Sequence, residues 1–177
     1  CICLEFLNNS EALCLFGTTD MSSFDDALEF RFKADTTWAD AHEDDKAAVT
    51  RLWNWIDSCK GNSAKFLAEY NQYFGNDSPF AWYLITDYFM AVDNRAKNMM
   101  LATWDSLIWY FLPYDMDTLF GVRNDSVLKY EYTITHESFD NSIGSYSFAG
   151  HDSVLWELVR GCPDKLREVA ETLRSNM

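Results

Sequence analysis

The sequence predicts an α+β domain in which helix predominates over strand, and three patterns support that class. Alternating apolar residues near the amino-terminal end and after residue 98 indicate strands. Apolar residues at helical spacing between residues 44 and 92 indicate helices, and a second helical region closes the chain. Hydrophobic residues make up 48% of the 177 residues, which suffices for a packed core and argues against intrinsic disorder.

We expect residues 1–177 to form one domain, because neither a repeat nor a Pro/Ser-rich linker divides the chain. Cys1 stands where Met or a signal sequence is usual, and strand-forming residues follow it, so we expect a fragment of a longer polypeptide. Residues 1–16 are rich in strand-forming types, and Asn8–Ser10 predict a turn that interrupts this run. A second strand is predicted over residues 27–32, with Leu28, Phe30 and Phe32 on one face.

Three helices are predicted next. The first covers residues 44–60, with Ala48, Leu52, Trp55 and Ile56 at core spacing, and stops at Gly61. The second covers residues 63–74, with Gly75 as the residue after its carboxyl end. The third starts at Asp77 or Ser78, has Pro79 in its first turn and continues to residue 92.

The pattern then returns to strands. Residues 99–103 and 107–112 predict a hairpin around the turn 104–106, and residues 127–135 predict a further strand. Helices are predicted over residues 153–159 and 163–175. The aromatic residues expected mostly in the core, with a minority exposed for docking, are Trp53, Trp55, Trp82, Trp104, Trp109 and Trp156.

Charge and cysteine content exclude several classes of partner and cofactor. Twenty-eight acidic residues against 14 basic ones give a net charge of -14, which opposes binding to nucleic acid or anionic membranes and favours divalent cations or basic partners. No apolar stretch is long enough to span a membrane. The five scattered cysteines are expected to be buried free thiols, and no Cys or His pair has zinc spacing.

Two polar segments lie on either side of the predicted hairpin. Asp93 follows a helix, Arg95 comes two residues later and Asn98 five residues later, while Asp115 and Asp117 follow the return strand. Protein kinases share this layout, with Asp and Asn in a catalytic loop and a metal-binding Asp beyond a hairpin. A carboxylate can orient an acceptor hydroxyl, and carboxylate and amide oxygens suit Mg²⁺.

These segments resemble those of the CotH-like kinases. The resemblance rests on residues 89–98 and on Tyr114-Asp115-Met116-Asp117 with Gly121. The chain resembles CotH-like domains of bacteriophage tail-associated proteins still more closely, through Asn8–Ser10 and residues 13–16, 24–32 and 148–156. The resemblance implies a kinase-like carboxyl-terminal lobe whose hairpin carries the metal loop.

The resemblance also implies residue roles. Asp93 is then the catalytic carboxylate and Arg95 a cation near the transferring phosphate. Asn98 binds metal or phosphate, Asp115 is the principal Mg²⁺ ligand and Asp117 a second acid. The cofactors implied are Mg²⁺ and ATP, with no haem, flavin or zinc. The acceptor implied is a protein Ser or Thr.

One departure from the family and several alternatives remain open. The seven glycines form no G-x-G, so we expect the nucleotide-covering amino-terminal lobe to be largely absent. Asp93 could simply end a helix, Asn98 could be a turn residue, and Asp115 with Asp117 could hold a structural Ca²⁺.

The alternative function is a structural or host-adhesion module of a phage tail, using the kinase-like fold as a scaffold without chemistry. For either function, kinase or non-catalytic module, we expect an extracellular or virion location. The expected partners are other virion or coat proteins within a larger assembly, with no nucleic acid and no membrane span.

Overall fold

The structure, a computed structural model, describes residues 1–6, 28–31, 36–89, 91, 94, 99–114, 116, 119–121, 147–148, 151–152 and 154–176. The strands are β1 (Ile2–Phe6), β2 (Leu28–Arg31), β3 (Thr36–Thr37), β4 (Met99–Thr103), β5 (Trp109–Pro113), β6 (Ser147–Phe148) and β7 (His151–Asp152). The α-helices are α1 (Glu43–Ser58), α2 (Ser63–Glu69), α3 (Ser78–Tyr88), α4 (Val154–Arg160) and α5 (Pro163–Ser175). Short 3₁₀ turns cover Tyr70–Gln72 and Leu119–Gly121.

A five-stranded antiparallel sheet has the order β3-β2-β1-β4-β5. Leu4 pairs with Leu101 and Leu101 with Phe111, and these three side chains belong to the core. Because side chains alternate along a strand, this row turns one face of the sheet toward the buried faces of the helices. β6 and β7 form a separate two-stranded sheet.

The mixture of helices with antiparallel strands agrees with the predicted α+β class. The hairpin is confirmed, with Met99 paired to Pro113 at its open end. α1, α4 and α5 lie within a residue or two of their predicted bounds. Among the tryptophans expected in the core, Trp104 is 66% exposed and the others are buried.

Two predicted helix ends are wrong, and tertiary contacts explain both. α2 ends at Glu69 instead of residue 74, because the chain at Tyr73 and Gly75 forms hydrogen bonds with both backbone groups of Trp109. Gly75 is therefore not a helix-capping glycine. It is needed because a Cβ at this position would clash with the Tyr110 ring.

α3 ends at Tyr88 instead of residue 92. The N–H of Ala91 closes a wider turn onto the Thr86 carbonyl at 2.8 Å, and the Phe89 carbonyl accepts a hydrogen bond from Phe120. The backbone groups of this segment are thus satisfied outside the helix, which is why the apolar pattern of residues 80–92 overestimates its length.

Several predictions lie outside the described residues: the turn Asn8–Ser10, Phe32, Cys14 and the strand over 127–135. Of the described cysteines, Cys3, Cys59 and Cys162 are buried thiols outside any disulfide, as expected, while Cys1 is also outside a disulfide but exposed. Among the described helices, none is long and apolar enough to cross a membrane.

A partly buried network of ion pairs and hydrogen bonds connects α5 to the start of α3. Lys165 forms ion pairs with Asp77 at 3.1 Å and with Glu168 at 2.9 Å, and the Tyr70 hydroxyl donates to Asp77. Partial burial lowers the pKa of Lys165, but hydrogen bonds to Glu168, Asp77 and Tyr70 outweigh it and raise that pKa above 10.5. Because the folded state raises this pKa, the stability gained is complete at neutral pH and is lost only in more alkaline solution.

Lys165→Met should lower the free energy of unfolding by about 1–3 kcal/mol, because Asp77 then loses a cation in a site where the lysine side chain is 15% exposed. Arg167→Met is the matched control, since Arg167 lies on the same helix and pairs with Asp164 where both side chains are exposed. It should cost less than about 0.5 kcal/mol. Urea denaturation followed by tryptophan fluorescence measures both, and equal losses would contradict this account of the network.

Candidate active site

All five residues predicted to form the site lie outside the described residues. They are Asp93, Arg95, Asn98, Asp115 and Asp117. Their immediate neighbours in the chain are described, however: Asn94, Met99, Tyr114 and Met116. The geometry around the predicted site therefore rests on these neighbours and on the elements that carry them.

α3 and β5, which lead into the two polar segments, are joined by contacts from the first half of α3 to the middle of β5. The Ser78 hydroxyl oxygen accepts a hydrogen bond from the Phe111 N–H at 2.8 Å. The rings of Trp82 and Phe111 stack with centroids 5.9 Å apart. The strand therefore lies against the helix before either chain segment reaches its polar residues.

Asn94 forms the first junction between the two polar segments. It is fully buried, and its side-chain Nδ2 donates to the Tyr114 carbonyl at 2.9 Å. Its own carbonyl accepts from the indole N–H of Trp82 at 2.9 Å. Asn94 therefore connects α3 on one side to the chain immediately before Asp115 on the other.

A second junction lies at the far end of the Asp115-containing segment. The Phe120 N–H donates to the Phe89 carbonyl at 2.6 Å, and the two rings meet edge-to-face at 5.6 Å. Phe120 has a positive φ of 59°, an uncommon conformation for a residue with a large side chain. The segment from Tyr114 to Phe120 is thus attached at both ends to the chain that follows α3.

The hairpin register supplies a third constraint. Met99 faces Pro113 across the open end of the hairpin. Asn98 precedes Met99 in the sequence, and Asp115 follows Pro113 by two residues. The structure therefore brings the described ends of both polar segments into one region, without describing the five side chains themselves.

A model of the family described as CotH kinase protein matches residues 7–156, which include both polar segments. The chain belongs to the CotH kinase family. No match was found among curated proteins.

The residue types at the candidate CotH site fit a hard divalent cation. Asp115 and Asp117 offer carboxylate oxygens and Asn98 an amide oxygen, which are the donors that Mg²⁺ prefers. Within the part of the chain that the structure describes, no cluster of three His, Cys, Asp or Glu side chains is placed to hold a metal.

A groove of about 470 Å³ lies between α3 and β5. Its lining includes Ala81 and Ile85 of α3, Phe111 of β5, and Met116 and Leu119. Its described lining carries no cationic side chain, so it suits apolar groups better than phosphates.

Sequence reasoning did not identify the residues that form the junctions. Asn94 stands between Asp93 and Arg95, and no spacing or motif in the sequence assigns it a role. Trp82 was assigned to the core from its spacing, without a role for its indole N–H. The hydrogen bond from Asn94 spans 20 positions, so no local pattern could have signalled it.

Trp82→Phe should lower the free energy of unfolding by about 1–3 kcal/mol, because the buried Asn94 carbonyl then loses its indole donor. Trp104→Phe is the matched control: Trp104 is 66% exposed, and its replacement should change stability by less than about 0.5 kcal/mol. Urea denaturation of both variants provides the comparison. Equal stability of the Trp82 variant and the parent would contradict the assigned bond.

Proposed function

We propose that this CotH family domain transfers the terminal phosphoryl group of ATP to a Ser or Thr hydroxyl of a protein, using Mg²⁺. The observation that supports this most is the double attachment of the Tyr114–Phe120 segment to the chain around Asn94. Phosphoryl transfer depends on positioning and charge stabilisation, so its carboxylate and its metal ligands must lie within one site.

In this proposal the acceptor hydroxyl hydrogen-bonds to the Asp93 carboxylate, which takes its proton as the new oxygen–phosphorus bond forms and the terminal phosphoanhydride bond breaks. The Arg95 guanidinium lies near the transferring group and offsets its negative charge. Asp115, Asp117 and Asn98 hold Mg²⁺. When bound, the ion neutralises phosphate charge and fixes the orientation of the phosphates.

The second candidate function is a non-catalytic module of a phage tail, built on the same fold. Two features of the sequence favour it: the resemblance of residues 8–10, 13–16, 24–32 and 148–156 to segments of phage tail-associated proteins, and the lack of a G-x-G within residues 1–177. In that case other virion proteins, in an extracellular particle, are the partners, and Asp93 has no role in chemistry.

Titration calorimetry of Mg²⁺-ATP into the full chain separates the two functions. The parent should bind, and Asp115→Asn should weaken binding by at least about tenfold, because it removes the charge of the principal metal ligand. Asp40→Asn is the matched control, since Asp40 is exposed in a turn before α1 and its change removes the same charge. The control should bind as the parent does.

Transfer itself is then measured with terminally labelled ATP and a mixture of Ser- and Thr-containing peptides. Asp93→Asn should abolish incorporation of label while leaving binding of Mg²⁺-ATP within about threefold of the parent, a difference of less than 1 kcal/mol. Absence of nucleotide binding by a folded parent would contradict the kinase proposal and favour the scaffold.

A further inference from the structure

We infer that Asn94 is a positioning residue, whose buried side-chain amide sets where the chain enters the metal-binding segment. The inference rests on the proposed function, because it concerns residues assigned there to metal binding. It assigns Asn94 a task distinct from the roles proposed for Asp93 and Arg95: Asn94 fixes Tyr114, the residue that precedes Asp115 in the sequence.

The chemistry of this contact requires an amide. Tyr114 presents a carbonyl oxygen, which can only accept a hydrogen bond, so the partner atom must be a donor. Asn provides an N–H₂ group at that position, whereas the isosteric Asp places a carboxylate oxygen against the carbonyl oxygen. Because Asn94 is fully buried, water cannot easily take over the lost bond.

Asn94 is itself held in place, which makes it suitable as a reference point. Its backbone N–H donates to the Ala91 carbonyl at 3.2 Å, and its carbonyl accepts from Trp82 on α3 at 2.9 Å. A continuous hydrogen-bonded path therefore runs from α3 through Asn94 to Tyr114. The aromatic packing of Trp82 against Phe111 connects the same helix to β5, the strand that Tyr114 follows.

Without the Asn94 bond, the metal-binding segment keeps the junction between Phe89 and Phe120 described above. Since Phe120 is 59% exposed, that junction lies closer to solvent than the Asn94 junction. We therefore expect a segment without the Asn94 bond to remain attached but to vary in position. Residues that orient metal ligands typically change metal affinity by about 10–100-fold when they are replaced.

The test compares Asn94→Asp with the parent and with Asn54→Asp, which makes the same charge change at an exposed position of α1. Electron paramagnetic resonance of added Mn²⁺ measures metal affinity without nucleotide. Hydrogen–deuterium exchange measures backbone opening, peptide by peptide. We expect Asn94→Asp to weaken Mn²⁺ binding by about 10–100-fold and to accelerate exchange mainly over residues 114–121, with the control unchanged.

A purely structural role predicts a different result. Exchange would then increase by the same factor in every peptide, with no excess over residues 114–121, and that outcome would overturn the inference, as would unchanged exchange and unchanged Mn²⁺ affinity. A lower unfolding midpoint is expected for either role, because the substitution leaves a buried polar group unpaired. If Asn94→Asp does not fold, Trp82→Phe replaces it, since it removes the indole donor to Asn94 and keeps the side-chain amide. It should increase exchange over the same residues, and no local increase would overturn the inference.

The exchange measurement also separates this inference from the proposed function. If the parent binds neither Mn²⁺ nor nucleotide, the proposed function fails, while accelerated exchange confined to residues 114–121 in Asn94→Asp still supports Asn94 as the residue that positions this segment. If the parent binds both and the variant matches it in affinity and exchange, the proposed function stands and the positioning role fails.

Discussion

The hydrogen bond from the buried Asn94 amide to the Tyr114 carbonyl is the contact on which the candidate site depends. It joins the chain that leaves α3 to the chain that leaves β5, and the predicted catalytic and metal-binding residues come next on either side. Burial makes this bond specific as well as stabilising, because an unmatched polar group in the interior costs more than a satisfied one contributes. An Asn in such a position selects one arrangement of the two segments.

The aromatic core fixes the positions of the two chain segments that this hydrogen bond joins. Phe111 stacks on Phe74 and Trp82 and packs against Trp156, so three helical or loop segments converge on one strand residue. Each such buried side chain contributes about 1.5–3 kcal/mol through removal of apolar surface from water. Because close-packed interiors resist small displacements, the ends of α3 and β5 are held in a fixed relation.

Much of this fold follows from local patterns, and the remainder from contacts that patterns do not encode. α1 was predictable because its buried residues recur at helical spacing and Gly61, with φ of 70°, lies in the turn that follows its end at Ser58. The early ends of α2 and α3 could not be predicted in this way. Backbone groups near Gly75 form hydrogen bonds with Trp109, and the Phe89 carbonyl accepts one from Phe120, so both partners lie far along the sequence. The same holds for the candidate site. The spacing of polar residues indicated Asp93 and Asp115, but it could not indicate the hydrogen-bond partner of Asn94.

Paramagnetic broadening in the amide spectrum of the ¹⁵N-labelled protein tests the central claim most directly, that both polar segments form one metal site. Mn²⁺ is added with a non-hydrolysable ATP analogue, and broadening decreases steeply with distance from the ion. The account predicts that the Asn94 side-chain amide and the Phe120 N–H broaden first, because they mark the two junctions. Earlier broadening at the acidic first turn of α1, with Asn94 and Phe120 still sharp, would contradict it.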